Sequence, residues 1–560
     1  MKKSFIFSSL CIAVLGSTIT SVQADTQRNM PTIERHEEKF SHSSGRGHQI
    51  TTWESPFFSS SNILQPSSAK RAGMVESSLK QIDQVINQAI TEKIMPGAVT
   101  FVARGGHIAK HDAYGYAALY KDGNLGKMDK PIQMRNDTIF DLASISKIFT
   151  STAIMKLYED GDIKLDNSVA EYIPEFAQNG KETVTVRQLL THTSGFTAWI
   201  PLYTIGNSRE ERIQAVFQQP LQNAPGTTYT YSDLNMITLG AIVERLSGKR
   251  LDQFVKEQIT GPLNMQDTMY NPPASLKKRI AATEFQKVPD RGLVWGEVHD
   301  ENAWSLDGVA GHAGVFSTAK DLSVLAQVFL NKGQYQGKRI LKPETVKLLL
   351  ENQNQAFPGD DHGLGWELGQ GWYMDALSDS TSFGHTGYTG TSIVINPKQK
   401  TVAILLTNRV HPTRNTVSTN QTRRLFARQV ADAIPVSIPG KGPALFSGYG
   451  DHLSRILETD LSFTKNTTLS FKTWYSTEEN ADYGQVDIYK EGKWQKIMTY
   501  TGSSHGWKKQ KLSIPKDAEK LRFTYKTDSS VNGRGWYIQD VKVGGKRLSF
   551  QINQWTLRNY

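Results

Sequence analysis

A serine and a lysine three residues apart carry the sharpest chemical signal in the sequence. Ser144 and Lys147 belong to the run FDLASISK at 140–147, which continues into apolar residues at helical spacing. At the start of a helix, this spacing places both side chains on one face, one turn apart. A serine hydroxyl becomes nucleophilic when a base removes its proton, and a lysine acts as that base only if its pKa falls. The pair therefore predicts a serine nucleophile activated by an amine, with the helix N-terminus favouring a developing oxyanion.

Two later segments could complete such a site. Tyr231 follows a Pro-Gly-Thr turn and opens a helix, and a tyrosine near a lysine can be partly ionised and act as a general base or acid. The glycine-rich run GHTGYTGT at 384–391 precedes a strand, and glycines there would let a substrate backbone approach closely. Considered alone, Tyr231 is better interpreted as a core aromatic than as a catalytic residue, and His385 as a turn residue. Together and in this order, the three segments indicate a catalytic cleft.

The elements that must position these residues form an irregular succession of helices and strands. Apolar residues at three- and four-residue spacing predict a first helix over 74–94. Further helices are predicted over about 144–159, 209–219, 234–257 and 420–433. Strands are predicted over 98–103 and, as a buried hairpin, over 392–397 and 401–406. This order predicts an α+β domain over 73–433, in which an antiparallel sheet is flanked by helices and a helical block.

A linker at 434–444, rich in proline and glycine, separates this domain from a tail with a different sequence pattern. Over 445–560, short alternating runs between turn residues predict a small all-β sandwich. Five of the 11 tryptophans lie there, and they more simply fill a small core than form a sugar-stacking platform. The runs FKTWY, DYG and GRGWYIQD resemble the MAM-like or jelly-roll module of some secreted bacterial metalloproteases. The resemblance implies that the tail binds a glycan, a wall polymer or a protein, or stabilises its neighbour. Asp482 and Asp540 could bind calcium, although solvated surface acids are commoner.

The N-terminal residues 1–24 have the features of a secretory signal. Lys2 and Lys3 precede an apolar stretch, and a small-residue cleavage site ends at Ala24. Cys11 is the only cysteine, so the mature chain is predicted to contain no thiol, which excludes disulfides and cysteine nucleophiles. The polar residues 25–72 are predicted to be a flexible segment. We expect a secreted protein, extracellular or associated with the cell wall, with no integral membrane segment once the leader is removed.

Composition narrows the class of protein. The chain has 560 residues, of which 38% are hydrophobic, 10% aromatic and 21% charged. These values exclude wholesale disorder, collagen and a polytopic membrane protein. The net charge of +10 is spread along the chain without a basic run interleaved with aromatics. We therefore predict no nucleic-acid partner, while a modest positive charge suits an anionic wall polymer.

The three segments together resemble the serine penicillin-recognising enzymes, a group that includes D,D-peptidases, class C β-lactamases and related esterases. The resemblance covers about 74–433 and includes the run VRQLLTHTSG at 186–195. The runs LVWGEVHDENA at 293–303 and GVAGHAG at 308–314 are most similar to the penicillin-binding protein 4B type, a D-alanyl-D-alanine carboxypeptidase branch. The resemblance implies a β-lactamase/transpeptidase-like fold without a cofactor or a metal.

The resemblance also implies roles for individual residues. Ser144 would be the acylated nucleophile, Lys147 its proton acceptor and Tyr231 the proton shuttle. Four further residues would form the substrate-facing strand and its edge: His385, Thr386, Gly387 and Tyr388. The backbone N–H groups of Ser144 and Tyr388 would form the oxyanion hole.

Two residues depart from the family pattern. The second motif usually ends in Asn, but here it ends in Asp233, which accepts hydrogen bonds only and favours a charged Lys147. The third motif often begins with Lys, but here it begins with His385, whose grip on a substrate carboxylate would be weaker and pH-dependent. Both departures argue against efficient β-lactam hydrolysis and leave peptidase or esterase activity open.

The sequence therefore predicts a serine hydrolase with an acyl-enzyme at Ser144. The first hypothesis is a D-alanyl-D-alanine carboxypeptidase, or another penicillin-binding-type peptidase, that acts on cell-wall peptides. The alternatives are an esterase or β-lactamase of the same fold, and a non-catalytic protein whose tail binds wall material or glycan.

Overall fold

The structure is a computed structural model that describes residues 52–54 and 61–560. The predicted signal sequence at 1–24, with Cys11, lies outside the described residues. So does most of the polar segment predicted over 25–72.

The described residues form both α-helices and β-strands, and several of the strands have only two residues. Its α-helices are α1 (Glu76–Thr91), α2 (Ser146–Asp160), α3 (Val186–Leu190), α4 (Arg209–Gln218), α5 (Asp233–Ser247), α6 (Leu251–Val255), α7 (Glu301–Ser305), α8 (Ala319–Leu330), α9 (Pro343–Leu349), α10 (Gly371–Met374) and α11 (Asn420–Asp432). The strands that precede residue 410 are β1 (Gln65–Pro66), β2 (Gly97–Arg104), β3 (His107–Tyr120), β4 (Lys127–Gln133), β5 (Phe140–Asp141), β6 (Met269–Tyr270), β7 (Phe285–Gln286), β8 (Gly292–Leu293), β9 (Val315–Ser317), β10 (Gln334–Tyr335), β11 (Lys338–Arg339), β12 (Glu367–Leu368), β13 (Phe383–Thr386), β14 (Ser392–Asn396) and β15 (Thr401–Thr407). The strands of the tail are β16 (Ala444–Phe446), β17 (Ser454–Asp460), β18 (Thr467–Ser476), β19 (Tyr483–Lys490), β20 (Lys493–Tyr500), β21 (Lys508–Ile514), β22 (Lys520–Lys526), β23 (Gly535–Val543), β24 (Lys546–Arg547) and β25 (Thr556–Arg558).

An eight-stranded sheet organises the first part of the chain. Its strand order is β1-β3-β2-β15-β14-β13-β12, with β4 paired to β3, and every pair except β1 with β3 is antiparallel. Every residue of β2, β14 and β15 is buried, because helices cover both faces of the sheet. Leu405 packs with α1 and α11 on one face, while Ile404 and Leu406 face the helical block on the other. The alternation of side chains along a strand thus supplies two apolar cores from one run of residues.

The predicted α+β architecture is confirmed, with one helix divided. A single helix was expected over 234–257, but α5 ends at Ser247 and α6 begins at Leu251. Gly248 follows α5 with φ +67°, a left-handed conformation that terminates helices and that glycine adopts without strain.

Two antiparallel sheets make up the tail, as the spacing of its short strands predicts. One has the order β21-β18-β23-β16-β25, with β24 paired to β23, and the other the order β17-β22-β19-β20. Apolar residues of both sheets form one core, which includes Trp536 and Trp555, and Trp474 is also buried. The simpler interpretation of these three tryptophans as core residues is therefore confirmed.

The segment before residue 73 and the predicted linker at 434–444 differ from the prediction. The expectation of a flexible polar tether does not hold for residues 52–54 and 61–72, because Gln65–Pro66 pairs with β3 and Trp53 is buried with its N–H donating to the carbonyl of Pro435 at 2.7 Å. Ile434 and Val436, in the predicted linker, are buried in the same cluster as Trp53. Apolar side chains thus hold both segments against the fold.

None of the helices in the described ranges is long and apolar enough to cross a membrane.

Candidate active site

A tight turn places Ser144 at the mouth of a cleft. The chain leaves β5, makes a 3-10 turn at Ala143–Ile145 and enters α2. Ala143 has φ +49°, a conformation that costs a non-glycine residue on the order of 1 kcal/mol or more. The Asp141 carboxylate holds this turn by accepting from the N–H groups of Ala143 at 2.8 Å and His299 at 2.6 Å.

Lys147 lies between the nucleophile and the second motif. Its ammonium donates to Ser144 Oγ at 2.8 Å, and it lies 2.8 Å from Asp233 Oδ1 and 3.3 Å from the carbonyl oxygen of His312. The side chain is 1% exposed, and its ammonium lies 4.7 Å from the centre of the Tyr231 ring. The spacing that predicted a Ser–Lys pair thus brings the two side chains into direct contact.

The charge of Lys147 agrees with the expectation drawn from Asp233 and differs from the free amine that the Ser144–Lys147 pair alone predicts. Burial alone would lower its pKa, but the Asp233 carboxylate and the Tyr231 hydroxyl outweigh burial and raise the pKa of Lys147 above its ordinary value. The resting lysine is therefore an ammonium, not the free amine that a falling pKa would produce. The second expectation, a partly ionised Tyr231, is also wrong: burial raises its pKa even though the charge of Lys147 opposes this.

His192 packs against the second motif, Tyr231–Asp233, and accepts a hydrogen bond from its backbone. Its Nδ1 accepts from the backbone N–H of Ser232 at 3.1 Å and lies 3.2 Å from the side-chain amide nitrogen of Asn235. Its ring centre lies 4.6 Å from that of Tyr231. Burial lowers the pKa of His192 well below its ordinary value, so the ring is neutral and accepts hydrogen bonds. This positions Tyr231 and, at the start of α5, Asp233.

The third motif forms β13 and the turn that follows it. Thr386, Gly387 and Tyr388 line the same cleft as Ser144. A Cβ added to Gly387 would lie 2.1 Å from Thr391 Oγ1 and 2.3 Å from the backbone oxygen of Leu142, so only glycine allows this approach. The turn is thereby pressed against the residues that immediately precede the nucleophile.

His385 does not take the role that was predicted for it. The side chain is 1% exposed, is absent from the cleft lining, and has its Nδ1 2.7 Å from the carbonyl oxygen of Thr386. Burial, assisted by the charge of Lys147, lowers the pKa of His385 to about 3. A neutral imidazole brings no positive charge to a substrate carboxylate, and its charge does not change near neutral pH.

Two arginines that the sequence analysis missed supply positive charge to the cleft. Arg409 and Arg423 line it together with Ser144. Arg423 Nη2 donates to the carbonyl oxygens of Gly387 at 2.6 Å and Thr391 at 3.0 Å. Burial lowers the pKa of Arg423 to about 10, so it stays charged at neutral pH. Arg423 lies on a buried face of the helix predicted over 420–433. Buried Arg424 and Arg428 lie on the same helix outside the cleft lining, so the sequence offered no signal that singles out Arg423.

Glu367 is a second residue that sequence reasoning missed. It lies in β12 opposite Gly384 and lines the cleft, and its Oε2 is buried without a hydrogen-bond partner among the described residues. Burial raises the pKa of Glu367 to about 7. A strand of two residues has no readable alternation, so nothing in the sequence marks this position.

The cleft measures about 430 Å³, and Ser144 and Tyr231 are among the residues that line it. Asp233, Asp300 and His312 come close enough to hold a metal ion, with ligand atoms within 4.8 Å of one another. However, the cation beside Asp233 is the Lys147 ammonium, and His312 Nε2 is bound to Asp300 Oδ1 at 2.9 Å. The arrangement fits acyl transfer to Ser144, with protons exchanged among Lys147, Asp233 and Tyr231.

This fold and cleft define a serine hydrolase. The chain belongs to the β-lactamase family, since the sequence profile described as Beta-lactamase matches residues 82–428. The tail lies outside the matched range.

Similar proteins carry names of cell-wall enzymes. A Bacillus subtilis (strain 168) protein named "N-acetylmuramyl-L-alanine amidase" is 33% identical over 383 residues, which are 62% of this chain and 86% of that protein. An Escherichia coli (strain K12) protein named "Putative D-alanyl-D-alanine carboxypeptidase" is 33% identical over 381 residues, with the same two coverages. The solved structure of "EstCE1, a hydrolase with promiscuous acyltransferase activity" matches with a TM-score of 0.51 and 22% identity, over 64% of this chain and 99% of that one. This last similarity shows the fold alone.

Proposed function

We propose that this protein is a secreted serine peptidase that removes D-alanine from cell-wall peptides through an acyl-enzyme at Ser144. The observation that carries the proposal is the Lys147 ammonium, which contacts both Ser144 Oγ and Asp233 at 2.8 Å beside a cleft walled by Thr386–Tyr388. The relative named as a D-alanyl-D-alanine carboxypeptidase supports the choice of substrate. The signal-like residues 1–24 support an extracellular or wall-associated location.

The resting protonation states suggest a route for the protons. Lys147 passes one proton to Asp233, 2.8 Å away, and the resulting amine takes the proton of Ser144 as Oγ attacks the scissile carbonyl. Tyr231 donates its proton to the leaving nitrogen and regains one from Lys147, after which Asp233 returns its proton. In the second half-reaction, water loses a proton along the same route, attacks the ester carbonyl and releases Ser144. The backbone N–H groups of Ser144 and Tyr388 are our candidates for the oxyanion hole.

The cleft arginines favour a carboxypeptidase over an esterase for small neutral esters. Arg409 and Arg423 place two positive charges beside Ser144, and a peptide that ends in D-alanine offers a carboxylate to them. The expected preference is a much faster turnover of a D-alanyl-D-alanine peptide than of the same peptide with a C-terminal amide. Equal turnover of the two peptides would favour the esterase or amidase alternative.

The acyl-enzyme itself is tested by covalent labelling. We expect the wild-type protein to form an adduct with a fluorescent penicillin, detected by intact-mass measurement. Ser144→Ala should lose labelling and D-alanine release by on the order of 10³-fold or more, because loss of the nucleophile disables the whole group. If Ser144→Ala labels and turns over substrate like the wild type, the proposal is wrong.

The amidase alternative rests on a specific similarity. The Bacillus subtilis relative is named as an N-acetylmuramyl-L-alanine amidase and is as similar to this chain as the carboxypeptidase relative. Digestion of a purified wall fragment distinguishes the two, since a carboxypeptidase releases free D-alanine and an amidase separates the peptide from the muramyl group. A full-length protein that binds wall material but does neither would instead support the non-catalytic alternative.

A further inference from the structure

Three carboxylates meet where two loops of the tail lie side by side. Glu478 and Asp482 belong to the loop between β18 and β19, and Asp528 belongs to the loop between β22 and β23. One carboxylate oxygen from each residue lies within 4.8 Å of one from each of the others. This distance allows a single cation to contact all three.

Asp482 is fully buried and has one carboxylate oxygen without a hydrogen-bond partner among the described residues. Its side chain is 0% exposed, its Oδ1 accepts from the backbone N–H of Asp528 at 3.0 Å, and its Oδ2 has no hydrogen-bond partner in the described part of the chain. Glu478 Oε2 is likewise buried and unpartnered. Buried carboxylate oxygens are normally hydrogen-bonded or paired with a cation, because leaving water without compensation is costly.

Negative charge accumulates at this cluster. Burial raises the pKa of Asp482 to about 7, and the negative charges of Asp528 and Glu478 add to this effect. Arg424 is the positive group that acts on Glu478. However, its guanidinium is already bound to Asp451 at 2.7 Å. The cluster thus concentrates negative charge that the described residues do not neutralise.

We propose that Glu478, Asp482 and Asp528 bind a divalent cation, with Ca²⁺ the preferred ion. Oxygen-only ligands from two loops suit Ca²⁺, which accepts six to eight oxygens in flexible geometry, whereas Mg²⁺ demands a near-ideal octahedron. Asp540, the other aspartate that the sequence analysis considered for calcium, is instead paired with Lys472 at 2.6 Å and Arg547 at 2.7 Å. Two protein cations occupy that carboxylate, so it offers no comparable site.

The proposed site lies beside the contact between the tail and the hydrolase part. In the loop that carries Asp528, Asn532 donates to Asp451, which pairs with Arg424 of α11. In the same loop, Val531 lies so close to Gly371 that an added Cβ there would meet it at 2.6 Å. A bound cation would fix both loops and so stiffen the surface that the tail presents to α10 and α11.

Calcium binding to the whole protein tests this proposal. We expect chelator-treated full-length protein to bind one Ca²⁺ per chain by isothermal titration calorimetry, and to gain thermal stability on CaCl₂ addition but less on MgCl₂ addition. Asp482→Asn should weaken Ca²⁺ binding at least about 100-fold, since it removes charge at a ligand position. Asp540→Asn is the matched control and should bind Ca²⁺ like the wild type.

The variants also separate loss of binding from loss of folding. The amide of Asp482→Asn can still accept from the Asp528 N–H, so in chelator this variant should melt no lower than the wild type. If it nevertheless fails to fold, Glu478→Gln, which removes a half-buried ligand, should show the same loss of Ca²⁺ affinity. The proposal is overturned if the wild type takes up no Ca²⁺, or if both cluster variants retain wild-type affinity.

Discussion

Asp233 determines the resting charge of the residue beside the nucleophile. Its carboxylate oxygen lies 2.8 Å from Lys147 Nζ, and its negative charge contributes most to outweighing the effect of burial on the pKa of that lysine. The motif that this segment resembles usually has Asn at this position, and an amide would supply no negative charge. The aspartate therefore turns a candidate base into a stable ammonium and makes itself the nearest proton acceptor.

Replacing Asp233 with Asn should make acylation depend on pH. In the wild type Lys147 is an ammonium that passes its proton to Asp233, so labelling should change little between pH 5 and pH 10. The Asn amide cannot take that proton, and loss of the carboxylate lowers the pKa of Lys147. We therefore expect the variant to label more slowly at neutral pH and to recover as the pH rises and the lysine loses its proton to solvent. The measurement is the rate of penicillin labelling from pH 5 to pH 10.

A control carboxylate separates this local effect from a general change of charge. Asp252 on α6 pairs with Arg250 and does not line the cleft, so Asp252→Asn should keep the wild-type pH profile. A wild-type profile in Asp233→Asn would mean that Asp233 neither sets the charge of Lys147 nor takes its proton.

At the scale of elements, the turn after β13 is locked to the turn before α2. Thr389 Oγ1 donates to the carbonyl of Asp141 at 2.8 Å and Thr391 Oγ1 to that of Leu142 at 3.1 Å. These two bonds span about 250 residues of sequence and fix one wall of the cleft against the nucleophile. The position of this cleft wall relative to Ser144 therefore depends on the contact between the two turns.

Gly387→Ala should disrupt this contact. The new methyl group would lie 2.3 Å from the Leu142 backbone oxygen, and backbone cannot move aside as a flexible side chain can. We expect a loss of at least about 100-fold in labelling rate, because a displacement of about 1 Å in a catalytic site has effects of that size. The fold should survive, at a cost of about 1 to 3 kcal/mol in unfolding free energy.

Gly123 provides the matched substitution. A Cβ there would approach the Phe285 ring no closer than 3.5 Å, an ordinary contact. Gly123→Ala should therefore label at the wild-type rate. Wild-type labelling by Gly387→Ala as well would show that the close approach of the two turns is not needed.

At the scale of the whole molecule, the tail is bound to the hydrolase part by a shared apolar cluster and by buried ion pairs. Phe446, Trp474 and Tyr537 of the tail pack in the same cluster as Phe426 and Val430 of α11. The guanidinium of Arg558, near the C-terminus, pairs with the buried carboxylate of Asp432. We infer that the tail stabilises α11, the helix that carries Arg423 to the cleft.

Removal of Arg558 should therefore destabilise the whole chain. Arg558→Gln would leave the Asp432 charge buried without its partner, which typically costs about 3 to 5 kcal/mol. Urea unfolding followed by tryptophan fluorescence measures the change, and we expect one transition that shifts as a unit. Arg547→Gln, which breaks an exposed pair with Asp540, is the control and should change the unfolding free energy by less than about 1 kcal/mol. A tail that unfolds separately in the wild type would contradict this coupling.

The sequence by itself determined several long helices and the order of the motifs. The spacing of apolar residues predicted α1, α2, α4 and α11 to within a few residues, because helix periodicity is a local property. The Ser144–Lys147 contact followed from helical geometry, and the preference of Asp233 for a charged lysine followed from its acceptor-only chemistry.

Only the tertiary structure decided how strongly each pKa shifts and which groups face the cleft. The pKa of Lys147 depends on a carboxylate 86 positions away in sequence, and burial removed His385 from the cleft while bringing Arg423 and Glu367 into it. Desolvation and through-space charge depend on which distant segments come together, and local patterns contain no information about them. Asp482 and Asp540 illustrate the same point. The sequence does not distinguish them, but in the folded chain Asp482 lies beside two other acids and Asp540 lies between two cations.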